Sequence, residues 1–180
     1  SDRGVRRLLL NLTTSLDGFI AAADGGIEWI LPPPPEIPAD YLALMDTVDT
    51  LVMGRGTYEA SLALSGGTEA FRGKRAIVFT SRSDVAPHEG VEFAHEDPIG
   101  FVERLKATSG STIWLFGGGR LATALSGAGL VDEYLIAVQP ILLGEGIPLW
   151  RGDAPSRNVE LVHARAWPDG LVELRYRRAE

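Results

Sequence analysis

The stretch Thr50-Leu51-Val52-Met53-Gly54-Arg55-Gly56-Thr57-Tyr58-Glu59 changes character within a few residues. Thr50 to Met53 is a short unbroken apolar run, the pattern of a strand buried on both faces of a sheet. Gly54-Arg55-Gly56-Thr57 is a glycine turn, and Tyr58 to Leu64 reads as a helix that opens on it. The same unit recurs later: the strand Thr112 to Phe116 (TIWLF) runs into Gly117-Gly118-Gly119 and a helix through Leu121, Ala122 and Leu125. In open parallel sheets, ligands bind where strand ends meet helix N-termini, because free N–H groups and the helix dipole attract anions there. A glycine lets a phosphate approach the backbone and tolerates positive φ. Either loop alone reads equally well as a tight strand-to-helix turn, since such turns recur throughout folds of this class. Taken as a pair they read as a cradle for the phosphates of a dinucleotide.

The rest of the chain supplies strands and helices in alternation. Val5 to Leu12 predicts a first buried strand ending in Thr13-Thr14-Ser15, followed by a loop over Leu16 to Ala21 and the turn residues Asp24-Gly25-Gly26. Pro32 to Pro35 form a stiff extended stretch rather than a domain linker. From Pro38, Tyr41, Leu44, Met45 and Val48 repeat at helical spacing. Ala76 to Phe79 is a buried strand ending in Thr80-Ser81-Arg82, and Val91 to Ala94 is a further short one. Asp97-Pro98 starts a helix as N-cap and first-turn proline, with Gly110 ending it. Glu133 to Val138 is a strand stopped by Pro140. Val159 to Trp167 and Leu171 to Arg177 flank the turn Pro168-Asp169-Gly170. In the last segment Val172, Leu174 and Tyr176 alternate with Glu173, Arg175 and Arg177, which predicts one wet face. The implied fold is α/β, one domain over residues 1–180, with a mainly parallel central sheet, helices on both faces and a C-terminal antiparallel hairpin.

Composition narrows the function. The 180 residues carry a formal charge of -7, so a nucleic-acid backbone is on average repelled. There is no cysteine, which removes disulfides, thiolate metal sites and a cysteine nucleophile. Ser1 to Arg7 lack an apolar signal core and no apolar run reaches the roughly 18 residues of a membrane span, so a cytoplasmic protein without membrane partners is expected. His88, His95 and His163 are scattered with no carboxylate partner or helical pairing, which predicts neither a metal nor acid–base work for them. Trp114 and Trp150 read as core or interface residues. No Gly-Lys-Ser/Thr ending marks a Walker A loop, and Gly117-Gly118-Gly119 lacks the spacing and the later acidic residue of a Rossmann fingerprint.

Three strings in order give a resemblance. Leu51-Val52-Met53-Gly54-Arg55-Gly56-Thr57-Tyr58-Glu59, Ile77-Val78-Phe79-Thr80-Ser81-Arg82 and Trp114-Leu115-Phe116-Gly117-Gly118-Gly119 resemble segments of the dihydrofolate reductase superfamily. Ser15-Leu16-Asp17-Gly18-Phe19-Ile20-Ala21 and the run from Leu130 to Leu149 resemble the C-terminal reductase domain of the bifunctional riboflavin-biosynthesis deaminase-reductase. No zinc deaminase signature accompanies them, so the likeness is to stand-alone relatives. It implies the three-layer dihydrofolate reductase-like fold and an NADPH-dependent reductase that passes hydride to a small heterocyclic, imine or carbonyl substrate, pterin- or pyrimidine-like. A module that binds NADP or another nucleotide without turnover is the alternative.

The resemblance also implies site residues. Gly54, Arg55, Gly56 and Thr57 would meet the pyrophosphate and 2′-phosphate side of NADPH; Thr80, Ser81 and Arg82 the 2′-phosphate; Gly117, Gly118, Gly119, Arg120 and Leu121 the pyrophosphate. Arginine forks and Ser/Thr hydroxyls suit phosphate, although Arg55 and Arg82 also read as solvated surface charges. Thr13, Thr14, Ser15 and Ile20 would flank the nicotinamide, and the loop through Asp24 would form a lid. Asp17 is a turn residue or a substrate contact. Trp29 with Ile37-Pro38-Ala39-Asp40 resembles the Trp and Leu-Pro-x-Asp of dihydrofolate reductases, which offers Trp29 for the substrate and Asp40 as the proton source. A helix-start aspartate serving the dipole is the other reading of Asp40, and Glu28 and Asp24 are further acids on the same loop. Phe19 stands where the riboflavin branch often carries lysine, which argues against that pathway's phosphorylated substrate. A homodimer through the C-terminal strands is implied as well.

Overall fold

The computed structural model describes residues 5–180, so the expectation drawn from the chain's start lies partly outside them. In chain order the elements are β1 (Leu8–Ser15), β2 (Phe19–Ala21), α1 (Ala39–Asp46), β3 (Val48–Gly54), α2 (Arg55–Ala63), β4 (Arg75–Phe79), β5 (Val91–Ala94), α3 (Pro98–Lys106), β6 (Thr112–Gly117), α4 (Gly119–Gly127), β7 (Glu133–Gln139), β8 (Ile147–Pro148), β9 (Val159–Ala166) and β10 (Val172–Arg178). Among the described residues no helix is long and apolar enough to cross a membrane.

Eight strands form one sheet in the order β5-β4-β3-β6-β1-β7-β10-β9. The first six run parallel, and β10 returns antiparallel to β7 with β9 as the closing edge. This is the expected mainly parallel sheet with a terminal hairpin. Leu8, Leu9 and Leu10 are each fully buried, which explains why β1 reads as an unbroken apolar run rather than an alternation. One face packs Leu8, Leu10, Val52, Ile77, Ile113 and Leu115 against Val102 and Leu105 of α3 and Leu121, Ala122 and Leu125 of α4. The other carries Leu9 and Leu135 under Leu44 of α1, and Leu51 and Met53 beside Tyr58 of α2. Burying one such leucine contributes about 2 kcal/mol.

Two expectations change. The segment Leu16 to Ala21 is not only a loop: Phe19 and Ala21 pair with Pro148 and Ile147 in a small second sheet. The face of β10 expected to be wet is so only at its end, where the Arg177 side chain is 65% exposed. Glu173 is buried and the Arg175 side chain is only 19% exposed. Glu173 is covered by α1 and the proline stretch across the cavity, and Arg175 is drawn onto Glu133.

Charged groups hold the strand starts. Arg6 is buried and donates to Ser111 O, Thr108 Oγ1, Thr50 Oγ1 and Asp49. Gly110 has φ +148, and a Cβ there would meet the Arg6 guanidinium at 2.7 Å. Glu133 accepts from Arg7 and Arg175. Burial pushes its carboxyl up, but the hydrogen bonds and charges of both arginines outweigh this and leave it below the usual glutamate value. Asp49 is likewise lowered: burial opposes, and the Ser111 N–H, the Thr50 hydroxyl and Arg6 prevail. A carboxyl depressed in the folded state stabilises it above the unfolded value, near 4, and loses that contribution as the pH falls through the folded one. Unfolding free energy from urea titration is therefore expected to be level between about pH 7 and 5 and to fall below about pH 4. Glu133→Gln should flatten that fall, and an identical acid profile in the variant would contradict it.

Candidate active site

The carboxyl ends of β4, β3, β6 and β1 lie side by side, and adjacent strands stand about 4.8 Å apart, so this edge spans about 14 Å. Along it come Thr80-Ser81-Arg82, Gly54-Arg55-Gly56-Thr57, Gly117-Gly118-Gly119 and Thr13-Thr14-Ser15. The two glycine loops are neighbours in space. A Cβ on Gly54 would lie 3.9 Å from Gly118 N, and one on Gly117 or Gly118 would lie 3.3 Å from Thr57 Oγ1. Gly117 has φ +137, which a side chain rarely adopts, and the Gly117–Gly118 peptide is cis. Both α2 and α4 start without a side-chain cap, at Gly54 and Gly118. Their first N–H groups are therefore left to solvent or to a ligand.

Charges on this edge are paired differently from one arginine to the next. Arg55 meets Glu59 at 3.0 Å within α2. Arg82 forks onto Asp84 at 2.9 and 2.6 Å, and these hydrogen bonds hold the Asp84 carboxyl down to about 2. The Thr80 hydroxyl accepts from Arg82 N at 3.0 Å, which fixes the turn after β4. Arg120 is exposed at the start of α4 and has no ion pair among the described residues. Sequence reasoning missed Arg151, whose Cδ lies 3.1 Å from where a Gly119 Cβ would stand.

A second feature sits beside this edge. A cavity of about 340 Å³ opens between the sheet and α1. Register explains its floor: Asn11 and Thr13 of β1, Leu135 and Ala137 of β7 and Glu173 of β10 share one face. Its walls are Ile30 to Pro34, Ile37, Pro38, Tyr41, Trp167 and Leu171. The proline stretch is thus a wall of the cavity. Gln139, also lining it, accepts Leu31 N with Oε1 at 3.2 Å and so pins that wall to the sheet. Asn11 donates to Tyr41 Oη at 3.2 Å and does the same for α1.

Several predicted residues lie elsewhere. Thr14 is buried on the opposite face from Thr13, because successive strand residues alternate. Ile20 is half-buried against the α3–α4 side. The Asp17 carboxylate accepts from Ser15 Oγ at 2.6 Å and from the N–H groups of Leu143 and Gly144. The Ser15 hydroxyl lowers its pKa, with burial opposing and the two N–H groups assisting. It ties the β1–β2 turn to the loop after β7 and does not line the cavity. Trp29 is outside the lining too, with Nε1 donating to Gly26 O at 3.1 Å.

Asp40 lies outside the cavity lining. It is 47% exposed, begins α1, and accepts from Arg165 at 3.0 and 2.8 Å. That hydrogen bond lowers its pKa, and a carboxyl held ionised in solvent is a poor proton donor. The buried carboxyl at the cavity is Glu173. Its Oε1 accepts from His163 Nε2 at 2.8 Å, so His163, expected to lack a carboxylate partner, has one. Pocket-facing Glu173 was hidden by its wet-looking alternation.

Residues 6–172 match the family described as RibD C-terminal domain. The uncharacterized protein YwjB of Bacillus subtilis (strain 168) is 35% identical over 174 residues, covering 97% of this chain and 99% of its own. The crystal structure of a putative riboflavin biosynthesis protein from Shewanella sp. PV-4 superposes with a TM-score of 0.81 at 27% identity, over 97% of this chain and 99% of that one. Dihydrofolate reductase from Enterococcus faecalis, complexed with NADP(H) and RAB-propyl, shares the fold with a TM-score of 0.65 at 21% identity, over 97% of both chains. The fold is dihydrofolate reductase-like, and the chain belongs to the RibD C-terminal domain family.

Proposed function

We propose that the chain is an NADPH-dependent reductase acting on a small heterocyclic, imine or carbonyl compound held in the cavity under α1. One observation carries it: two uncapped helix starts, on adjacent strands, with Thr57 set against Gly117 and Gly118. A Cβ would crowd this cradle, and its donors suit a pyrophosphate. The enzymes of this family and the dihydrofolate reductase neighbour support the reductase reading.

In this reading the N–H groups of Gly119, Arg120 and Leu121 and those of Gly56 and Thr57 bind the pyrophosphate, with Gly54, Gly117 and Gly118 giving it room. Thr80, Ser81, Arg82 and Arg55 take the 2′-phosphate, Arg82 turning from Asp84 to do so. Thr13, at the end of β1 and on the cavity face, would flank the nicotinamide, while Thr14 and Ile20 back the strand from its other face. NADPH supplies the hydride when bound. Asn11, Thr13, Gln139 and Glu173 orient the acceptor, and the proline wall excludes water from it. Asp17, Trp29 and Asp40 support the site by fixing the loop and α1. The chain would pair as a homodimer through the C-terminal strands, where edge strand β9 exposes Val159, Leu161 and Val162.

Loss of reduced-cofactor absorbance with a panel of pterins, pyrimidines and aldehydes tests turnover. Cofactor binding without any turnover would favour a nucleotide-binding module. Arg82→Ala is expected to lower NADPH affinity about tenfold, because the lost charge-assisted fork is offset by its existing bond to Asp84. NADH affinity should stay level. An equal loss for both cofactors in titration calorimetry would remove Arg82 from the 2′-phosphate.

A further inference from the structure

We infer that the cavity under α1 takes an unphosphorylated planar ring whose polar edge donates hydrogen bonds, and that Glu173 makes it prefer a cationic head group to an anionic one. The inference deepens the reductase reading and rests on it only for the consequence that such a ring accepts the hydride.

Among the described residues, the only charged side chain lining the cavity is Glu173. Its side chain is only 10% exposed, its Oε1 accepts from His163 Nε2, and among the described residues no group donates to Oε2. Arg165 compensates this charge only in part. It is committed to Asp40, and its Nη1 stands 3.6 Å from Glu173 Oε1 with no hydrogen bond of its own. Two carboxylates therefore share one permanent cation and a histidine. A phosphate placed here would meet a carboxylate and, among the described residues, no cation in the cavity lining, so its desolvation would be poorly compensated.

The remaining polar groups define the edge of the ligand. Gln139 spends Oε1 on Leu31 N, which leaves its amide NH₂ to an acceptor on the ligand. The Glu173 carboxylate asks for a donor. Between them lies the small Ala137, and proline, tyrosine and tryptophan side chains close the sides as flat apolar surfaces. That combination fits an aromatic or heteroaromatic ring with N–H groups on one edge. Phosphate-binding capacity lies instead on the glycine edge, which separates the two halves of the site by charge.

The test is a charge series on one ring, added to the wild-type protein without cofactor and followed by intrinsic tryptophan fluorescence and calorimetry: benzamidine, benzamide, benzoate and phenyl phosphate. Benzamidine is expected to bind at least about tenfold more tightly than benzoate or phenyl phosphate, with benzamide between them, as for a hydrogen bond to a charged group. Glu173→Gln should bring benzamidine and benzamide to within about twofold. Glu173→Asp, which keeps the charge but withdraws it, should retain part of the preference and serves if the glutamine variant does not fold. Equal or tighter binding of phenyl phosphate, no binding of benzamidine, or an unchanged preference in the variants that fold would overturn the inference. Because NADPH is absent, failure of the reductase reading leaves this result unaffected, and the converse holds too.

Discussion

Gly119→Ala is expected to destabilise the protein by about 3 kcal/mol and to abolish stabilisation by NADPH, the upper end of what overpacking a tight site costs. Gly119 is the first residue of α4. A Cβ there would stand 2.4 Å from Pro148 O and 2.6 Å from Leu149 O, distances real Cβ atoms do not show. The obstacle is backbone, and it is pinned. Leu149 N donates to Gly18 O at 3.0 Å, and Arg151 N donates to Thr123 Oγ1 at 2.8 Å. Relief therefore requires α4 to move off its strap, and its start is the proposed pyrophosphate cradle. Urea unfolding and a thermal shift with NADPH read the two effects separately. Wild-type stability in this variant would show that the packing at α4 is wrongly described.

The second large effect lies far from the proposed cofactor edge. Lys106→Met is expected to cost about 3 kcal/mol, toward the lower end for breaking a buried ion pair because Asp132 keeps other donors. The Lys106 side chain is 7% exposed and its Nζ donates to Leu130 O at 2.7 Å and Asp132 Oδ2 at 2.6 Å. Asp132 also accepts from Leu8 N at 2.8 Å and meets Arg178 at 3.3 Å. Methionine keeps most of the volume but leaves a carbonyl and a carboxylate short of a donor. The melting temperature should fall by about 6–12 °C for a chain of this size. Adding Asp132→Asn should recover part of the loss, since it removes the stranded charge. A drop under about 1 kcal/mol would mean that Leu130 and Asp132 are resolvated at little cost.

Local chemistry was legible in the sequence and distant coverage was not. The strands before Gly54 and Gly117, and the helices after them, are written in consecutive residues. Asp97 caps α3 as its Asp-Pro pair indicates, its side chain accepting from Ile99 N at 3.3 Å. The pairing of β2 with β8 escaped notice because three residues and two carry no periodicity. Glu173 looked solvated because alternation reports which face a residue is on, not what covers that face. Its covers, α1 and the proline stretch, lie more than a hundred residues earlier. Asp40 misled for the same reason: its motif is local, and the guanidinium that holds it ionised comes from β9.

The proposed phosphate-binding edge across β4, β3 and β6 is the centre of this account, and calorimetric titration of the wild-type protein with NADPH and then NADH tests it most directly. One NADPH is expected to bind per chain, with NADH weaker by at least about tenfold, or ~1.4 kcal/mol. Saturating NADPH should raise the melting temperature in the same preparation. No heat and no thermal shift at millimolar NADPH would contradict the account, whatever the cavity under α1 binds.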